Sequence, residues 1–316
     1  MSSNTEQYDP IRIIVRPREV DLGGFIIRRT LPARSLHAVG PWVFFDHIGP
    51  ASFPPGEGVD VIPHPHINLS TVTYLFEGEI VHRDSIGSVQ AITPGAVNLM
   101  AAGRGIVHSE RTGEQLRASG HRVHGLQLWS ALPEEFEEIE PAFYHYPARD
   151  LPRISNRGVE LRVMIGSAFG LDSPVKTFSP TLFAEAEIPE GGNLRLPDGV
   201  EDRAVYPVSG SLYLNDTELP VNRMILFAKG SDVLLSARAH SRIVMIGGEP
   251  LGKRHMWWNF VSSRKERIEE AKADWKAGRF AMVPGETEFY PLPETDAFSE
   301  RQGREEKQEH EEEHEQ

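Results

Sequence analysis

Two short segments decide the fold of this chain: PHPH, which ends at His66, and IVHSE, which ends at Glu110. Successive side chains of a β-strand point to opposite faces, so residues two apart share a face. If both segments are strands, His64 lies beside His66, and His108 lies beside Glu110. Two such strands meeting inside a barrel would direct three imidazoles and one carboxylate to a common point. The alternation therefore predicts a metal site.

The segments around these two are short, rich in β-branched and aromatic residues, and separated by glycine and proline. Strands of this length and spacing predict a β-sandwich or a barrel. In the first half of the chain the expected strands are 11–15, 24–29, 71–76, 80–84, 88–93, 97–101, 106–110 and 123–132. Residues 11–150 are therefore predicted to form the barrel that contains the metal site.

The same pattern of short strands and turns recurs in a second domain, which is expected over residues 151–290 with its first strand near Val159. Its expected strands are 161–165, 181–187, 204–208, 211–214, 224–227, 233–236 and 242–246. Gly78 in the first half corresponds to Gly210 in the second, which indicates an internal duplication. The chain is thus predicted to be all-β, with two barrels.

One amphipathic helix is predicted near the end of the chain. Ser263 and Glu266 have the Ser-x-x-Glu spacing of a capping box, in which each side chain bonds a backbone N–H at the helix start. The apolar residues from Ile268 to Trp275 recur at spacings of three and four and fall on one face. Gly278 stands where a terminating glycine belongs. We expect the apolar face to pack against the second barrel.

The composition restricts the function classes. The net charge of −13 argues against nucleic-acid binding, which depends on neutralising phosphates. No apolar run approaches the roughly 20 residues of a membrane span, and the polar N-terminus lacks the apolar core of a signal peptide. Cysteine is absent, so the chain has neither disulfides nor thiolate ligands, which is consistent with a cytoplasmic protein.

Both ends of the chain are expected to lack fixed structure. Residues 1–10 are polar, and residues 299–316 contain eight Glu against three Lys or Arg. Segments this poor in apolar residues cannot bury enough surface to offset the loss of chain entropy. We therefore expect a flexible N-terminus over 1–10 and a disordered acidic tail over 291–316.

Five motifs narrow the fold to a family. They are GPWVFFDH at 40–47, HPH at 64–66, TVTYLFEG at 71–78, GRGIVHSE at 103–110 and HGLQLW at 124–129. Together they resemble the pirin family over most of the chain except its two ends. The resemblance implies a bicupin, that is, two double-stranded β-helix (cupin, or jelly-roll) barrels with iron or another divalent metal in the N-terminal one. The family's ligand pattern of three histidines and one glutamate falls on His64, His66, His108 and Glu110.

One position departs from the family's pattern. Many relatives carry Arg-Gly-Phe-Glu after the His-Pro-His, whereas residues 67–70 here read INLS, so Ser70 stands where a glutamate is usual. The metal site survives in this pattern because Glu110 supplies the carboxylate. We expect Ser70 to affect the mouth of the pocket, the choice of substrate or the groups behind the ligands.

The second half provides an internal comparison for the metal site. When the two halves are aligned on their glycines, the four ligand positions fall on Leu196, Asp198, Leu235 and Ala237. A single carboxylate beside apolar side chains does not make a metal site. The second barrel is therefore predicted to be free of metal and to have a structural role.

The predicted ligands leave the identity of the metal open. Imidazoles with a carboxylate suit Fe(II), Ni, Mn, Co, Cu or Zn, and the resemblance implies iron, so Fe(II) is the expected cofactor. Four protein ligands leave two positions of an octahedron for substrate and dioxygen. Gln127 and His124 are candidates for polar groups behind the ligands, and simple exposure to solvent is the alternative.

Two functions stay open. The resemblance implies a metal-dependent dioxygenase of the quercetin 2,3-dioxygenase type, with a small aromatic substrate, O2, and Glu110 as the candidate catalytic base. The alternative is a non-catalytic iron-binding regulator, a redox-sensing module that binds a protein partner. An open pocket with room for two fused rings favours the enzyme, and a closed site favours the regulator. In either case we expect a monomer without direct nucleic-acid or membrane contact.

Overall fold

The computed structural model of the protein describes residues 10–21 and 25–295. Within these residues the chain is built mainly of β-strands, joined by turns and two short α-helices. No helix in this part of the chain is long and apolar enough to cross a membrane. The cytoplasmic location and the monomeric state expected from the sequence stay predictions.

The two ends expected to lack fixed structure lie mostly outside the described residues. For the N-terminus over 1–10, only Pro10 is described, and the acidic tail over 291–316 is described only to residue 295. Within that short described part, Leu292 packs against a cluster of buried apolar residues that includes Trp275. The disordered tail stays a prediction.

The strands of the first half are short and closely spaced. They are β1 (Ile11–Val15), β2 (Arg18–Asp21), β3 (Ile26–Leu31), β4 (Trp42–Phe53), β5 (Asp60–His66), β6 (Leu69–Glu77), β7 (Ile80–Asp84), β8 (Val89–Ile92), β9 (Val97–Ala101), β10 (Ile106–Arg111), β11 (His121–Ala131) and β12 (Ala142–Tyr146). The helix α1 (Glu114–Ser119) lies between β10 and β11. The expected strands of this half are present, with ends shifted by a few residues.

The strands of the second half follow the same pattern. They are β13 (Arg153–Asn156), β14 (Val159–Ile165), β15 (Ser167–Ala168), β16 (Leu171–Asp172), β17 (Thr181–Ile188), β18 (Asn193–Arg195), β19 (Asp202–Leu214), β20 (Thr217–Leu219), β21 (Met224–Phe227), β22 (Leu234–Gly248), β23 (His255–Trp257) and β24 (Phe260–Ser262). The helix α2 (Lys265–Lys276) comes last. The predicted all-β class is confirmed.

Three large sheets account for most of these strands. A four-stranded sheet has the order β5-β10-β7-β8, and a seven-stranded sheet has the order β12-β9-β6-β11-β4-β3-β2. The third sheet has the order β1-β21-β19-β22-β17-β14-β13, with β18 added to β22 and β20 added to β19. Strands that neighbour each other in the sequence therefore often lie in different sheets, as a barrel of two sheets requires.

The contacts divide the described chain into two compact units that do not follow the sequence linearly. The first unit contains residues 10–20, 27–47 and 146–250, and the second contains residues 21, 25–26, 48–145 and 251–295. The strand β1 belongs to the first unit because it pairs with β21 and extends its sheet. Each compact unit therefore combines segments from both sides of residue 150. The division of the chain into two domains at this residue stays a prediction.

The helix α2 packs on β23 and β24 and contacts Ile67 and Val107 of the first half, all in one compact unit, and the expectation that it packs against the second barrel was wrong. Its buried face includes Ile268 and Trp275, and both lie in one cluster with Ile67 and Val107. The sequence predicted an apolar face but contained nothing that specified which sheet covers it. The Trp275 Nε1–H also donates to the carbonyl oxygen of Tyr290 at 3.0 Å, which attaches the segment after the helix.

The start of α2 differs from the predicted capping box. Its N-cap is Arg264, without a side-chain cap. Ser263 instead donates its backbone N–H and its hydroxyl to the Glu137 carboxylate, at 2.7 and 2.9 Å. The predicted capping box was therefore wrong, because Ser263 bonds Glu137 and Arg264 is the N-cap. The predicted end is confirmed, since Gly278 follows the helix with a φ of +65°.

Two strands of the second half are longer than expected. β19 and β22 each continue through a segment at which the sequence predicts a break. Gly210 within β19 has a φ of +100°, and register shifts on either side of it accommodate the extra residues as β-bulges. The strand therefore runs through a position that the sequence marks as a turn.

The interior of the second half is apolar. Three of the positions aligned with the predicted ligands, Leu196, Leu235 and Ala237, lie in a buried cluster of aliphatic side chains. The fourth, Asp198, is exposed. Hydrocarbon side chains offer a cation no ligand, and the absence of metal from this barrel stays a prediction.

Gly78 joins the two sheets around the predicted site, because it follows β6 and precedes β7. Its φ is +89°, and a Cβ atom there would lie 2.2 Å from the carbonyl oxygen of Arg122. Gly87 has a similar φ of +93° with open space around its Cβ position.

We predict that Gly87→Ala lowers the free energy of unfolding by about 1–3 kcal/mol, the cost of a left-handed backbone for alanine. Gly78→Ala should lower it by about 1–3 kcal/mol more, because the added methyl group overlaps a fixed carbonyl. Urea unfolding of the two variants measures both losses. Equal losses would contradict the close approach at Gly78.

Candidate metal centre

Three neighbouring strands of the four-stranded sheet position the candidate site. β5 is the edge strand and pairs with β10, which pairs with β7. His108 lies opposite His64 on one side and opposite Asp84 on the other. Glu110 lies opposite His82. Because alternate residues of a strand share a face, these side chains project to the same side of the sheet.

The local sequence suits this arrangement. Proline lacks a backbone N–H and is tolerated on an edge strand, so the prolines on either side of His64 do not interrupt β5. A β-bulge lies beside the site, since His108 pairs with His64 but Glu110 pairs with Val61, which leaves one extra residue in β5. Bulges bend a strand and change the direction of side chains. The bulge of β5 thus lies opposite the stretch between His108 and Glu110, the two predicted ligand positions of β10.

Backbone carbonyls fix the tautomers of two histidines. The Nδ1 of His64 lies 2.9 Å from the carbonyl oxygen of Ile62, and the Nδ1 of His66 lies 3.0 Å from that of Asn259. A carbonyl oxygen only accepts, so Nδ1 carries the proton in both rings. Each neutral ring therefore presents a bare Nε2 lone pair.

His108 is fixed by another histidine and a carboxylate. The Nε2 of His82 lies 3.0 Å from Oδ2 of Asp84, so His82 donates from Nε2. The unprotonated Nδ1 of His82 lies 3.3 Å from Nδ1 of His108 and accepts a hydrogen bond from the Nδ1–H of His108. Burial acts to raise the pKa of Asp84, but hydrogen bonds from His82 and Ser88 lower it overall, which keeps Asp84 ionised. The Nε2 of His108 is then bare as well.

The three bare nitrogens converge on one point. The Nε2 atoms of His66 and His108 lie 3.1 Å apart, and His64 completes a group whose ligand atoms all lie within 4.8 Å of one another. Two lone pairs at this distance repel, and a cation between them removes the repulsion. The donor set therefore fits a transition metal held by neutral imidazoles.

The fourth predicted ligand, Glu110, belongs to a second group among the described residues. Its carboxylate is grouped with His82 and His108, and their ligand atoms also lie within 4.8 Å of one another. His108 is common to both groups. The structure thus brings the three predicted histidines together and places Glu110 beside His108, without placing its carboxylate in the three-histidine group.

Glu110 takes part in a closed ring of hydrogen bonds. The Oγ1 of Thr73 lies 2.8 Å from Oε1 of Glu110 and 2.8 Å from Oε1 of Gln127, and Gln127 Nε2 donates to Oε2 of Glu110 at 3.0 Å. The threonine has one proton for two acceptors, so the ring closes only if Glu110 supplies another. Burial raises the pKa of Glu110 against the effects of His82, Thr73 and Gln127. The metal-free ring therefore favours a protonated Glu110.

Of the two candidates for groups behind the ligands, only one lies in this ring. Gln127 bonds Glu110 directly, as described above. The ring of His124 instead contacts Phe76, with centroids 4.8 Å apart, and His124 belongs to neither group of ligand atoms. Gln127 therefore contacts a predicted ligand, and its role behind a metal ligand stays a prediction.

Sequence reasoning missed Thr73 and the pair formed by His82 and Asp84. The signal for the pair is present, because His82 and Asp84 alternate on β7 with the spacing of His108 and Glu110 on β10. No comparable signal marks Thr73, whose role follows only from its position across from the carboxylate.

Ser70 lies on the face of β6 that points away from the site. Thr73 bonds Glu110, and Ser70 precedes it by three residues on a regular part of the strand, so the two side chains point to opposite faces. The Oγ of Ser70 is buried without a hydrogen-bond partner among the described residues. The expectation that Ser70 affects the pocket mouth disagrees with this orientation, and a glutamate there would also point away.

The segment after α2 runs along the outer edge of the site. The backbone N–H of Tyr290 donates to the carbonyl oxygen of Pro63 at 2.9 Å, and the Tyr290 ring lies 6.1 Å from that of His64. Glu286 accepts a hydrogen bond from Arg111 Nη2 at 2.7 Å. These contacts attach the segment to β5 and β10 beside the predicted ligands.

The site is enclosed. The relative exposure is 7% for His64 and Glu110, 1% for His66 and 0% for His108. Solvent therefore comes closest on the side of His64 and Glu110. A cavity of about 650 Å³ lies in the second half of the chain, lined by residues 166–167, 177–182, 199–201 and 248–249, and does not mark this site.

Burial lowers the pKa of all three histidines. The pKa of His64 falls from 6.5 to about 4, and those of His66 and His108 fall well below 6.5. The largest cause in each case is the loss of water around a charged ring. All three rings are therefore neutral at neutral pH, which is the form that binds a metal.

We predict that the metal-free protein loses stability as the pH falls from 6.5 to about 4. In this range the unfolded chain binds protons on the three histidines and the folded chain does not. Each histidine then lowers the free energy of unfolding by up to about 1.4 kcal/mol per pH unit. Glu110 has a raised pKa, so its protonation increases the free energy of unfolding as the pH falls. This single group offsets only part of the loss from the three histidines.

Urea unfolding in the presence of a chelator measures this slope. His64→Gln should reduce the slope because it removes one of the three groups, whereas His124→Gln, outside the cluster, should leave it unchanged. A slope that His64→Gln does not reduce would contradict the burial of a neutral His64.

Comparison with known proteins identifies relatives of this chain. The sequence model of the pirin family matches residues 24–130, and that of the pirin C-terminal cupin domain matches residues 183–281. A pirin-like protein of Caulobacter vibrioides is 48% identical over 289 residues, which cover 90% of this chain and 100% of that protein. A protein of Pseudomonas aeruginosa, provisionally named a quercetin 2,3-dioxygenase, is 40% identical over 84% of each chain.

Solved structures have the same fold. A crystal structure of quercetin 2,3-dioxygenase from Acinetobacter baumannii has a TM-score of 0.82 at 34% identity, over 90% of this chain and 96% of that chain. A second structure with the same protein name from that organism has a TM-score of 0.80 at 27% identity, over 86% of this chain and 98% of that chain. The predicted architecture of two cupin barrels is confirmed.

Proposed function

Because this chain belongs to the pirin family, we propose that it is a metal-dependent dioxygenase of the quercetin 2,3-dioxygenase type. Its substrate is proposed to be a flavonol or a related enolic aromatic, with O2 as the second reactant. The observation that carries the proposal is the convergence of three bare Nε2 atoms beside a buried carboxylate. The relatives named quercetin 2,3-dioxygenase support the choice of reaction.

The proposed ligands of one divalent metal ion are His64, His66, His108 and Glu110. The histidines would offer their Nε2 atoms, and the Glu110 carboxylate, whose Oε2 accepts from Gln127 in the metal-free site, would complete the set. Three neutral imidazoles and one carboxylate leave the centre cationic, which suits an anionic substrate. Fe(II) is the proposed native metal, and Ni, Mn, Co, Cu or Zn fit the same donors.

When bound, a divalent transition metal supplies Lewis acidity toward an enolate oxygen and an electron path to dioxygen. The chain itself supplies a base, which we assign to Glu110. Burial raises the pKa of this carboxyl, so its ionised form accepts a proton readily from a flavonol hydroxyl. Once Oε1 carries that proton, it donates to Thr73, and the Thr73 hydroxyl donates to Oε1 of Gln127. The hydrogen-bond ring thus stabilises the proton after its transfer.

The substrate is proposed to approach from the side of His64 and Glu110, the more exposed pair of ligands. Tyr290 lies on this side, is 37% exposed, and has its ring 6.1 Å from that of His64. Deeper in the barrel, Trp129 stands edge-on to His66 with centroids 4.9 Å apart. Aromatic side chains along this path suit a planar aromatic substrate.

We predict that protein loaded anaerobically with Fe(II) consumes quercetin and oxygen together when both are added. His66→Ala should lose bound metal and lower turnover by more than about 100-fold, since even groups behind metal ligands contribute about 10–100-fold. His124→Ala removes a histidine of the same barrel outside the cluster and should retain both. An oxygen electrode follows turnover, and elemental analysis follows metal content.

The same assay with Ni(II), Mn(II), Co(II), Cu(II) and Zn(II) covers the other metals that the donors fit. Absence of turnover with every metal would exclude the quercetin-type reaction. Retention of stoichiometric metal by His66→Ala would show that the ligand assignment is wrong, whatever the reaction.

One observation favours a second function. None of the four proposed ligands is more than 7% exposed, which matches the closed site expected of a non-catalytic iron-binding regulator with a protein partner. Such a protein would bind iron fully in the same experiment and turn over no flavonol. Oxygen uptake therefore separates the two functions.

A further inference from the structure

His108 differs from the other two histidines in what lies behind it. His64 and His66 donate their Nδ1–H groups to neutral backbone carbonyls. His108 donates instead to His82, and His82 donates to the carboxylate of Asp84. One of the three converging imidazoles is thus connected through a second imidazole to a buried negative charge.

Asp84 is firmly held at the far end of this connection. It is 0% exposed, and its Oδ1 accepts the backbone N–H groups of Ile86 and Ser88 at 3.1 and 2.9 Å. Its Oδ2 is left for His82. One oxygen therefore fixes the turn after β7, and the other accepts a hydrogen bond from His82.

His82 is held equally firmly between its two partners. Its ring stacks on Phe143 with centroids 4.4 Å apart and an interplanar angle of 17°, and the residue is 2% exposed. This stacking aligns Nε2 with Asp84 and Nδ1 with His108. Because the Asp84 carboxylate only accepts, a neutral His82 donates from Nε2 and accepts at Nδ1, so the hydrogen bonds run from His108 through His82 to Asp84.

We propose that Asp84 and His82 are positioning residues of the metal centre. They hold His108 in the tautomer that presents a bare Nε2, and they direct the negative charge of Asp84 toward that ring. A carboxylate behind a ligating imidazole orients the ring and makes it a better donor to a metal. The inference rests on the ligands assigned under the proposed function and is independent of flavonol turnover.

A second metal ion is the competing explanation for the same cluster. The ligand atoms of His82, His108 and Glu110 lie close enough to hold one. Since the Nε2 of His82 donates to Asp84, such an ion would need the Nδ1 of His82, which accepts the hydrogen bond from His108. The positioning role therefore requires a single bound ion per chain.

The variant Asp84→Asn tests the tautomer directly. The two backbone N–H groups keep the asparagine oxygen, so its amide N–H₂ turns toward His82. The His82 ring must then accept at Nε2 and donate from Nδ1, which forces the proton of His108 onto Nε2. We expect Asp84→Asn to weaken Co(II) binding by about 10–100-fold and to change the visible absorption spectrum of bound Co(II).

Two substitutions of His82 provide the matched comparison. His82→Leu removes both hydrogen bonds and should weaken Co(II) binding by a similar factor. In His82→Gln the amide oxygen can accept from His108 while the amide N–H₂ donates to Asp84, so binding should be largely restored. Asp46→Asn, which alters a buried carboxylate bonded to Arg29 in the other compact unit, should leave binding unchanged.

The double variant His82→Leu with Asp84→Asn separates positioning from a merely structural role. If Asp84 acts through His82, Asp84→Asn causes no further loss of Co(II) affinity in the His82→Leu background. Co(II) affinity is measured by competition with a chelator, on the full chain. Wild-type affinity in Asp84→Asn, equal losses by Asp84→Asn in both backgrounds, or two Co(II) ions per wild-type chain would each overturn the proposal. Absence of flavonol turnover in a wild-type protein that binds Co(II) would leave it standing.

Discussion

The constraint on which the rest of the structure depends is that three imidazole lone pairs meet at one point away from water. A neutral imidazole has one N–H group, so each ring must carry its N–H at Nδ1 and donate it to an acceptor. The carbonyl oxygens of Ile62 and Asn259 accept two of these hydrogen bonds, and Nδ1 of His82 accepts the third. Burial keeps all three rings neutral, because it lowers their pKa values. The site is therefore specified as much by the acceptors behind the rings as by the rings themselves.

The two sheets beside the site contribute different parts of this arrangement. The four-stranded sheet supplies the converging side chains from β5, β10 and β7, and the seven-stranded sheet supplies Thr73 and Gln127 around Glu110. The acceptor for His66 comes from Asn259, just before β24. The chain around Asn259 leads directly into α2, which explains why α2 packs on Ile67 and Val107.

Period-two alternation predicted the histidine positions and Glu110, because a strand fixes which residues share a face without reference to other strands. The remaining parts depend on pairing between strands. His82 and Asp84 lie behind His108 only because of the register of β7 with β10, and no local pattern specifies register. Likewise, Trp275 predicts a buried face without specifying its partner, and Gly210 predicts a turn where a bulge lets β19 continue. The sequence likewise does not specify which face of β6 Ser70 occupies. That face follows only from the structure, in which Thr73 on the opposite face bonds Glu110.

The central claim is that one metal ion is held by three histidines and a glutamate. A crystal structure of the metal-loaded protein, with anomalous data collected at the absorption edge of the metal, tests it most directly. We predict one anomalous peak about 2.0–2.2 Å from a nitrogen of His64, His66 and His108 and from an oxygen of Glu110. A peak among His82, His108 and Glu110, or no peak at the three histidines, would contradict the account.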